Sequence, residues 1–382
     1  MRFVVTEGHT RMALAIVREL GEEVCSPEDI LSSASLPEYN DICHKSVYAH
    51  ESLIIMEHNY AKTLLKIGDI SDYGRNMLFP TGMYTLNIVA EYYNEIAEKY
   101  CGLWPALENL KQAADKLHVA QIANTLGISI PEEYPIDSPR FPCVLKYRNG
   151  ESLNLSAIDR YAIANNPLEY EEALSWMQKA GHLAAVDPSL KTSAEIFVSE
   201  YVQGEAFGVS AVLDENSDPL AVFSHKRVRE YPISGGPASC AESIWHPPLI
   251  KAGLSVLKAL KLKGFAMAEF KGSLENPYLL EVNPRVWGTY PLARLSKANM
   301  VKAYVNGALG NAKKITISEE CPYIEGLRMQ FLANDLCHFG ARALKGRLNL
   351  RVIWDMVSPK VKGGVFDKKD WPANWAYVRG LF

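Results

Sequence analysis

Hydrophobic and polar positions in the N-terminal third of the chain follow two kinds of pattern. Apolar runs at residues 2–6 and 76–79 predict short strands, and the helical spacing of apolar residues at 12–20 and 84–100 predicts a helix after each of them. Repeated strand–helix units are typical of an open parallel sheet. Residues 1–110 are therefore predicted to form a small α/β domain.

The middle of the chain adds strands that are joined by turns. Two such strands, at 207–213 and 220–228, flank a turn-rich segment and predict a hairpin. The other predicted elements are a helix at 111–126, strands at 141–146 and 195–202, and a helix at 249–262. The whole pattern places the chain in the mixed α/β (α+β) class.

A second hairpin, with strands at 265–271 and 278–283 around the turn 272–277, carries the most distinctive polar pattern. Because side chains repeat every two residues along a strand, one face is apolar and the other is polar. The predicted cross-strand pairs are Phe270 with Leu280 and Ala268 with Val282 on the apolar face, and Glu269 with Glu281 and Met267 with Asn283 on the other face. Two directly opposed carboxylates repel each other unless a cation lies between them.

Glu269, Glu281 and Asn283 together offer two carboxylates and an amide oxygen. Hard oxygen donors of this kind suit a Mg²⁺ ion that bridges to the phosphates of a nucleotide. An isolated carboxylate pair is more often a solvated feature of an exposed hairpin. The Asn-Pro-Arg sequence that ends at Arg285 favours the metal site instead.

Bulk composition is that of an ordinary globular enzyme. The 382 residues predict two or three domains, and the 48% hydrophobic and 22% charged residues argue against disorder. A formal net charge of −4 argues against a dedicated nucleic-acid binder, and no apolar run reaches the about 18–20 residues that span a bilayer. Seven scattered cysteines without CxxC pairing, and an N-terminus unlike a signal peptide, predict a cytoplasmic protein.

The sequence Glu281-Val282-Asn283-Pro284-Arg285 resembles the E-[IV]-N-P-R signature that closes the nucleotide site of ATP-grasp ligases. The likeness is to the carbamoyl-phosphate-synthase-like and carboxylate–amine ligase branch, and it extends over roughly residues 1–310. It implies an ATP-grasp fold with a Rossmann-like N-terminal domain and a C-terminal lobe. The implied division is 1–110 for the N-terminal domain, 111–310 for the ATP-grasp domain and 311–382 for the C-terminal extension. Within the ATP-grasp domain, the resemblance implies a lid at about 115–205 and a metal-binding part at about 206–310.

The resemblance also implies a role for each candidate site residue. Glu269, Glu281 and Asn283 would hold one or two Mg²⁺ ions, with Mn²⁺ as an alternative, against ATP. The implied phosphate ligands are Lys116 and Lys146, the implied adenine hinge is Glu200, Tyr201 and Val202, and the implied catalytic cations are Arg285, Arg227 and Lys226. Glu205 is a candidate ribose ligand, and its role stays open because the family's G-x-E pattern is shortened here to Gly204-Glu205.

Two segments depart from the family pattern. The flap after Lys146 has one glycine, Gly150, where the family carries a glycine-rich loop, so its closure over the phosphates stays open. Residues 341–382 hold nine Lys or Arg and three Asp. This basic segment is a packed lobe with solvated charges, a subunit interface such as that of a homodimer, a site for an anionic acceptor, or a membrane surface.

By this resemblance the protein is an ATP-dependent ligase. It would activate a small-molecule carboxylate as an acyl phosphate and join it to an amine, such as an amino acid or a peptide-like acceptor. Two other functions stay open: a bicarbonate-using carboxylase, and an ATP-binding sensor or scaffold without turnover. The shortened flap slightly favours the sensor, whereas the full set of metal and phosphate ligands favours an enzyme.

Overall fold

The computed structural model describes residues 1–33, 41–53, 55–69, 74–153, 155–185, 187–233, 235–346, 353–354 and 357–380. Within these residues the chain forms three sheets. None of the helices in these ranges combines the length and the apolar character that crossing a membrane requires. Short 3-10 turns lie at Pro27–Asp29, Cys43–Lys45, Glu57–Asn59, Ala157–Arg160 and Pro188–Leu190.

The N-terminal sheet contains five parallel strands in the spatial order β3-β2-β1-β4-β5. Its strands are β1 (Phe3–Val5), β2 (Ile30–Ser33), β3 (Glu51–Leu53), β4 (Asn76–Phe79) and β5 (Tyr100–Cys101), and its helices are α1 (Arg11–Glu23), α2 (Tyr60–Asp69), α3 (Met83–Glu91) and α4 (Tyr93–Lys99). The predicted strand–helix units are confirmed. The single helix expected at 84–100 is wrong, because the chain breaks at Tyr92 and its last residue enters a strand.

The helix predicted at 111–126 is also two helices, α5 (Leu107–Ala114) and α6 (Lys116–Thr125). Asp115 lies between them in an extended conformation, and its carboxylate accepts hydrogen bonds from the backbone N–H groups of Leu117 and His118. A short polar side chain that caps a helix N-terminus competes with continuation of the preceding helix. The break makes Lys116 the first residue of α6.

A four-stranded antiparallel sheet has the order β6-β9-β7-β8 and its own small core. The core includes Leu145, Tyr147, Met177 and Val198, all of them fully buried. The elements are β6 (Glu133–Tyr134), β7 (Cys143–Tyr147), β8 (Tyr161–Ala164), α7 (Pro167–Ala184) and β9 (Ile196–Glu200). Because this sheet has a separate core, it forms a distinct small unit within the chain.

The largest sheet has seven strands in the order β14-β13-β10-β11-β12-β15-β16, and all pairs are antiparallel except β15 with β16. Its strands are β10 (Glu205–Leu213), β11 (Pro219–Glu230), β12 (Ala238–Ile244), β13 (Gly264–Gly272), β14 (Pro277–Asn283), β15 (Arg328–Gln330) and β16 (Val361–Gly363). The accompanying helices are α8 (Pro247–Ala259), α9 (Tyr290–Leu295), α10 (Met300–Ala308), α11 (Leu332–Leu344) and α12 (Trp371–Arg379). The C-terminal residues therefore extend the central sheet instead of forming a separate sheet.

A buried ion pair docks the C-terminal part on the N-terminal domain. Nε of Arg18, in α1, lies 2.8 Å from Oδ2 of Asp370, and both side chains are almost fully buried. Asp370 also accepts hydrogen bonds from the hydroxyl of Ser46 and the backbone N–H of Val47. The two ends of the chain are thus held together by a pair that is costly to break, because either charge alone would be left buried.

The acidic hairpin has the predicted register over most of its length. Glu269 lies opposite Glu281, Met267 opposite Asn283 and Ala268 opposite Val282, as expected. The pair of Phe270 with Leu280 is wrong, because a bulge after Glu269 shifts the register and Phe270 lies opposite Leu279. A bulge leaves one residue of a strand without a partner and changes the direction of the side chains beyond it.

Candidate functional site

A cavity of about 460 Å³ is lined by residues from all three parts of the molecule. Its wall includes the first residues of α1 and α6, residues of β7 and β8, and residues at the end of β9. It also includes residues along β11, β13 and β14 and in the loop after β14. The predicted residues that it brings together are Lys116, Lys146, Glu200, Tyr201, Val202, Arg227, Glu269, Glu281, Asn283 and Arg285. One cavity therefore holds candidates from each predicted group: metal, phosphate, adenine and catalytic.

The two opposed carboxylates lie beside cations. Oε2 of Glu269 is 2.6 Å from Nη2 of Arg227, on β11, and Oε2 of Glu281 is 3.4 Å from Nζ of Lys116. The side-chain amide of Asn283 donates to Oε1 of Glu281 at 3.4 Å. The repulsion expected between the two acids is offset in this structure by neighbouring lysine and arginine side chains.

Burial and charge set the protonation of this cluster. Burial acts to raise the pKa of Glu281, but the charges of Lys116, Lys146 and Arg227 outweigh it and lower that pKa to about 2. Burial raises the pKa of Glu269, and Arg227 opposes that rise. Burial also lowers the pKa of Lys146, which the nearby Glu281 opposes. Glu281 is therefore a firmly ionised carboxylate at neutral pH.

The donor set fits a divalent cation that is shared with a nucleotide. In the part of the chain that the structure describes, no group of three or more His, Cys, Asp or Glu side chains is arranged to hold a metal ion. The cavity instead offers the two carboxylates of Glu269 and Glu281 and the amide of Asn283. Mg²⁺ usually takes only one or two protein carboxylates and completes its shell with phosphate and water oxygens. An incomplete protein cage of this kind suits Mg²⁺ with ATP better than a resident metal.

Glu151 is a cavity residue that the sequence did not reveal. Its Oε1 accepts hydrogen bonds from Nε and Nη2 of Arg285 at 3.1 and 2.8 Å, and it lies 3.8 Å from Nη1 of Arg160. Glu151 belongs to the flap that follows β7, so the flap places a carboxylate on the arginine that the resemblance assigns to the acyl phosphate. No local sequence signal indicates this contact, because 134 positions separate Glu151 from Arg285.

Lys226 and Glu205 are predicted site residues that the structure does not bring into the cavity. Nζ of Lys226 lies 3.2 Å from Oε1 of Glu242, on the face of β11 opposite to Arg227. Glu205 is exposed at the start of β10, and it lines the same outer groove as Lys226. Strand alternation is the physical reason for the position of Lys226, since successive side chains point to opposite faces.

His225 lies behind this cluster, and it is buried and uncharged. Its Nε2 is 3.0 Å from the hydroxyl of Thr289, in the loop after β14. Gly208 faces it across the sheet, and a Cβ atom there would lie 2.3 Å from Cε1 of the imidazole, so only glycine leaves room for the ring. Burial, assisted by the charge of Arg227, lowers the pKa of His225 to about 3. The imidazole is therefore neutral near pH 7.

The lowered pKa of His225 makes stability depend on pH. Between pH 6.5 and 3 the unfolded chain binds a proton at this histidine that the folded chain does not, so stability falls as pH decreases. We expect the unfolding free energy of the protein to drop by roughly 2–3 kcal/mol more than that of His225→Asn between pH 7 and pH 4.5. Urea titrations of both proteins at the two pH values measure this difference. Equal pH dependence in the two proteins would contradict it.

The fold and the cavity together define a protein of the ATP-grasp class. The chain has the ATP-grasp fold, and the comparisons support its assignment to the ATP-grasp ligase superfamily. A family model described as "ATP-grasp in the biosynthetic pathway with Ter operon" matches residues 192–333. This match, with the relatives given next, confirms the predicted superfamily and the mixed α/β fold class.

The similar proteins are ligases and carboxylases. The large chain of carbamoyl phosphate synthase from Clostridium acetobutylicum is 27% identical over 137 residues, which cover 33% of this chain but only 12% of the synthase. Biotin carboxylase from Campylobacter jejuni was solved as a β-γ-ATP complex, and its match to this chain has a TM-score of 0.64 and 15% identity. The match covers 86% of this chain and 74% of the carboxylase chain. The match to an L-amino acid ligase from Bacillus licheniformis has a TM-score of 0.54 and 13% identity, and it covers 82% of this chain and 75% of the ligase chain. At these identities the two solved structures show a shared fold, and the chain spans only a small part of the length of the synthase.

Proposed function

We propose that this protein is an ATP-dependent carboxylate–amine ligase. It phosphorylates a small-molecule carboxylate and then joins the acyl group to an amine, with release of ADP and phosphate. The observation that carries the proposal is the pair Glu269 and Glu281, which face each other in one cavity together with Lys116, Lys146 and Arg285. Sensing or scaffolding alone would not require this full set of groups around the phosphates.

The reaction requires activation because a carboxylate has no good leaving group. Transfer of the γ-phosphoryl group of ATP to a carboxylate oxygen gives an acyl phosphate and ADP. The amine nitrogen then attacks the acyl carbon, phosphate leaves with the electron pair of the broken C–O bond, and the amine loses a proton. Phosphoryl transfer depends mainly on positioning and charge neutralisation, so a site made of lysines, arginines and carboxylates is suited to it.

Each predicted site residue in the cavity has a role in this scheme. Lys116 and Lys146 would bind phosphate oxygens of ATP, and Glu269, Glu281 and Asn283 would hold Mg²⁺. When bound, Mg²⁺ supplies neutralisation of the phosphate charge. The main chain at residues 200–202 would position the adenine. Lys116 and Arg227 pair with the two acids in this structure and would contact the phosphates of bound ATP. Arg285 orients the carboxylate and then the acyl phosphate.

The apolar part of the cavity wall favours an organic acid over bicarbonate. Beyond the charged cluster, its wall contains the apolar side chains of Met12, Ala238, Met267 and Trp287. These residues belong to the same hydrophobic core cluster as α1 and α9 or pack against it, so they form a fixed surface. Apolar surface at the acceptor end has no function for bicarbonate alone, whereas it can bind the body of a larger acid or amine.

An assay of ADP and phosphate release tests the proposal. The purified protein is incubated with ATP, Mg²⁺ and a panel of organic acids, amino acids and dipeptides, alone and in pairs, and with bicarbonate. We expect ADP formation that requires both an acid and an amine, with the amide product identified by mass spectrometry. ADP formation with bicarbonate as the required acid would identify a carboxylase instead. Tight binding of Mg-ATP without turnover under any condition would overturn the proposal.

Replacement of Glu151 is expected to improve binding of the acid substrate. Glu151→Gln removes the carboxylate that competes for Arg285, and a partly exposed ion pair of this kind contributes about 0.5–1 kcal/mol. The KM for the acid should therefore fall by about 2–5-fold, while the KM for ATP stays unchanged. Steady-state kinetics measures both constants, and Glu215→Gln, in the turn between β10 and β11, is the matched control. An increased KM for the acid would show that Glu151 helps to bind it.

A further inference from the structure

Arg11 is a cation in the cavity wall that the scheme above does not use. It is the first residue of α1, so it enters the cavity from the N-terminal domain. Cζ of its guanidinium lies 3.6 Å from the centroid of the Phe331 ring. The other arginines of the wall, Arg160, Arg227 and Arg285, each pair with a glutamate. Among the residues that the structure describes, no carboxylate lies within ion-pair distance of Arg11.

A half-buried guanidinium without a counter-ion is energetically unfavourable. Burial lowers the pKa of Arg11, and the hydroxyl of Tyr377, on α12, opposes that shift. An arginine remains charged in such a setting, so the cost of its desolvation is not relieved by loss of a proton. Stacking on Phe331 offsets only part of that cost. A bound anion would supply the missing charge compensation.

A further polar group of the cavity wall has no hydrogen-bond partner among the described residues. It is Nε1 of Trp287, a fully buried side chain. Trp287 lines the cavity together with Arg11. Buried polar atoms in native proteins are nearly always hydrogen-bonded, so unpartnered ones in a cavity wall indicate a ligand. The indole N–H can only donate, which suits an acceptor such as an anionic oxygen.

These groups lie at the substrate end of the cavity and not at the adenine end. Trp287, Met267 and Ala238 belong to the core cluster that contains α1, and Met12 packs against that cluster. The adenine hinge follows β9, in the separate four-stranded sheet. Arg285, which is assigned to the reacting carboxylate, is two residues before Trp287 in the chain. Arg11 is therefore placed to contact one end of an acid substrate whose reacting carboxylate lies at Arg285.

We propose that Arg11 and Trp287 form an anion subsite that binds a second negatively charged group of the acid substrate. The inference rests on the proposed function, and it specifies the substrate class: an acid that carries, besides the carboxylate to be activated, another carboxylate or a phosphate. A planar guanidinium offers two parallel N–H donors that match either group. Arg11 is a specificity-determining residue in this scheme, and it takes no part in phosphoryl transfer.

The subsite also gives the C-terminal part of the chain a function. Phe331 directly follows β15, and its backbone N–H donates to the carbonyl of Ser239 on β12. Tyr377 lies on α12, next to the segment that the buried pair of Arg18 with Asp370 fixes to α1. Two C-terminal aromatic side chains thus hold the guanidinium of Arg11 in one orientation. Neither aromatic residue lines the cavity, so the C-terminal residues support the subsite indirectly, by holding Arg11.

Matched pairs of acids test the subsite by binding. The probes are succinate with succinamate, L-glutamate with L-glutamine, and O-phospho-L-serine with L-serine, each titrated by calorimetry into the full-length protein with Mg²⁺ and a non-hydrolysable ATP analogue. The protein should bind at least one dianionic acid at least about tenfold more tightly than its partner, which corresponds to about 1.4 kcal/mol. The carboxylate and phosphate arms distinguish which second group is accepted.

Variants of Arg11 make the test specific. Arg11→Met keeps the length of the side chain and should reduce the preference within each pair to less than about twofold, with the affinity for the nucleotide unchanged. Arg11→Lys should retain part of it, because a lysine keeps the charge without the paired donors. Arg140→Met, which alters an exposed arginine paired with Glu132, is the control and should keep the full preference. Thermal melts confirm that each variant is folded.

Failure of the subsite and failure of the proposed function give different results. An unchanged preference in Arg11→Met, or no preference for any dianionic acid in the unaltered protein, would overturn the subsite even if amide formation is observed. A preference that depends on Arg11, without turnover for any acid and amine, would retain the subsite and reject the ligase. Glu281→Gln should lose turnover but keep the preference in binding.

Discussion

Glu281→Gln is expected to reduce acid-dependent ADP formation by about 10²- to 10³-fold. The substitution keeps the size of the side chain but removes a carboxylate that is ionised at neutral pH, with a pKa of about 2. It takes away one of the two anionic ligands proposed for Mg²⁺, and it leaves Lys116 and Lys146 without their nearest counter-charge. The loss should appear in kcat and in the Mg²⁺ concentration needed for half-maximal rate, both measured by coupled ADP release.

A control substitution at another glutamate separates loss of the proposed metal ligand from a general effect of removing a negative charge. Glu215 lies in the turn between β10 and β11 and pairs with Lys263, so Glu215→Gln removes the same charge outside the cavity and should leave the rate within about twofold. Circular dichroism and thermal melts show whether both variants are folded. Near-normal ADP formation by folded Glu281→Gln would remove this residue from the proposed metal site.

Lys146→Met is expected to lower kcat/KM for ATP by about 10²-fold or more. Lys146 projects from β7 towards Glu281, and burial lowers its pKa while Glu281 opposes the shift. Methionine preserves the aliphatic packing but cannot bind a phosphate oxygen in the transition state. The decrease should fall on kcat as well as on KM, because the developing charge on the transferred group needs this cation.

The control for Lys146 is Lys258→Met, which alters an exposed lysine of α8 that pairs with Asp218. This variant should match the unaltered protein in both constants. Initial rates at varied ATP and saturating acid and amine provide the comparison. A kcat/KM for ATP within about threefold of normal in folded Lys146→Met would contradict a phosphate-binding role for this lysine.

Local patterns in the sequence predicted the acidic hairpin well. Strand alternation and a central turn were sufficient to place Glu269 opposite Glu281 and Met267 opposite Asn283. The bulge after Glu269 was not predictable, because it depends on how β13 packs between β10 and β14 and leaves no composition signal. Alternation also places Lys226 and Arg227 on opposite faces of β11, so only one of the two can face the cavity.

Long-range contacts were beyond the reach of the sequence. Glu151 meets Arg285 from a flap on another sheet, and Arg11 enters the cavity from the N-terminal domain beside Phe331. These contacts follow from the arrangement of three sheets, and no local periodicity reports that arrangement. The extension of the central sheet by β15 and β16 was missed for a similar reason, since both strands have only three residues.

A structure with bound metal and nucleotide tests the central claim most directly. Crystals grown with ADP and Mn²⁺, used as an anomalous scatterer in place of Mg²⁺, should show a metal peak about 2 Å from carboxylate oxygens of both Glu269 and Glu281, with a third contact to the nucleotide phosphates. The adenine should lie against the main chain of residues 200–202. A metal peak bound to neither glutamate, or phosphates placed away from Lys116 and Lys146, would contradict the proposed site and the synthetic activity based on it.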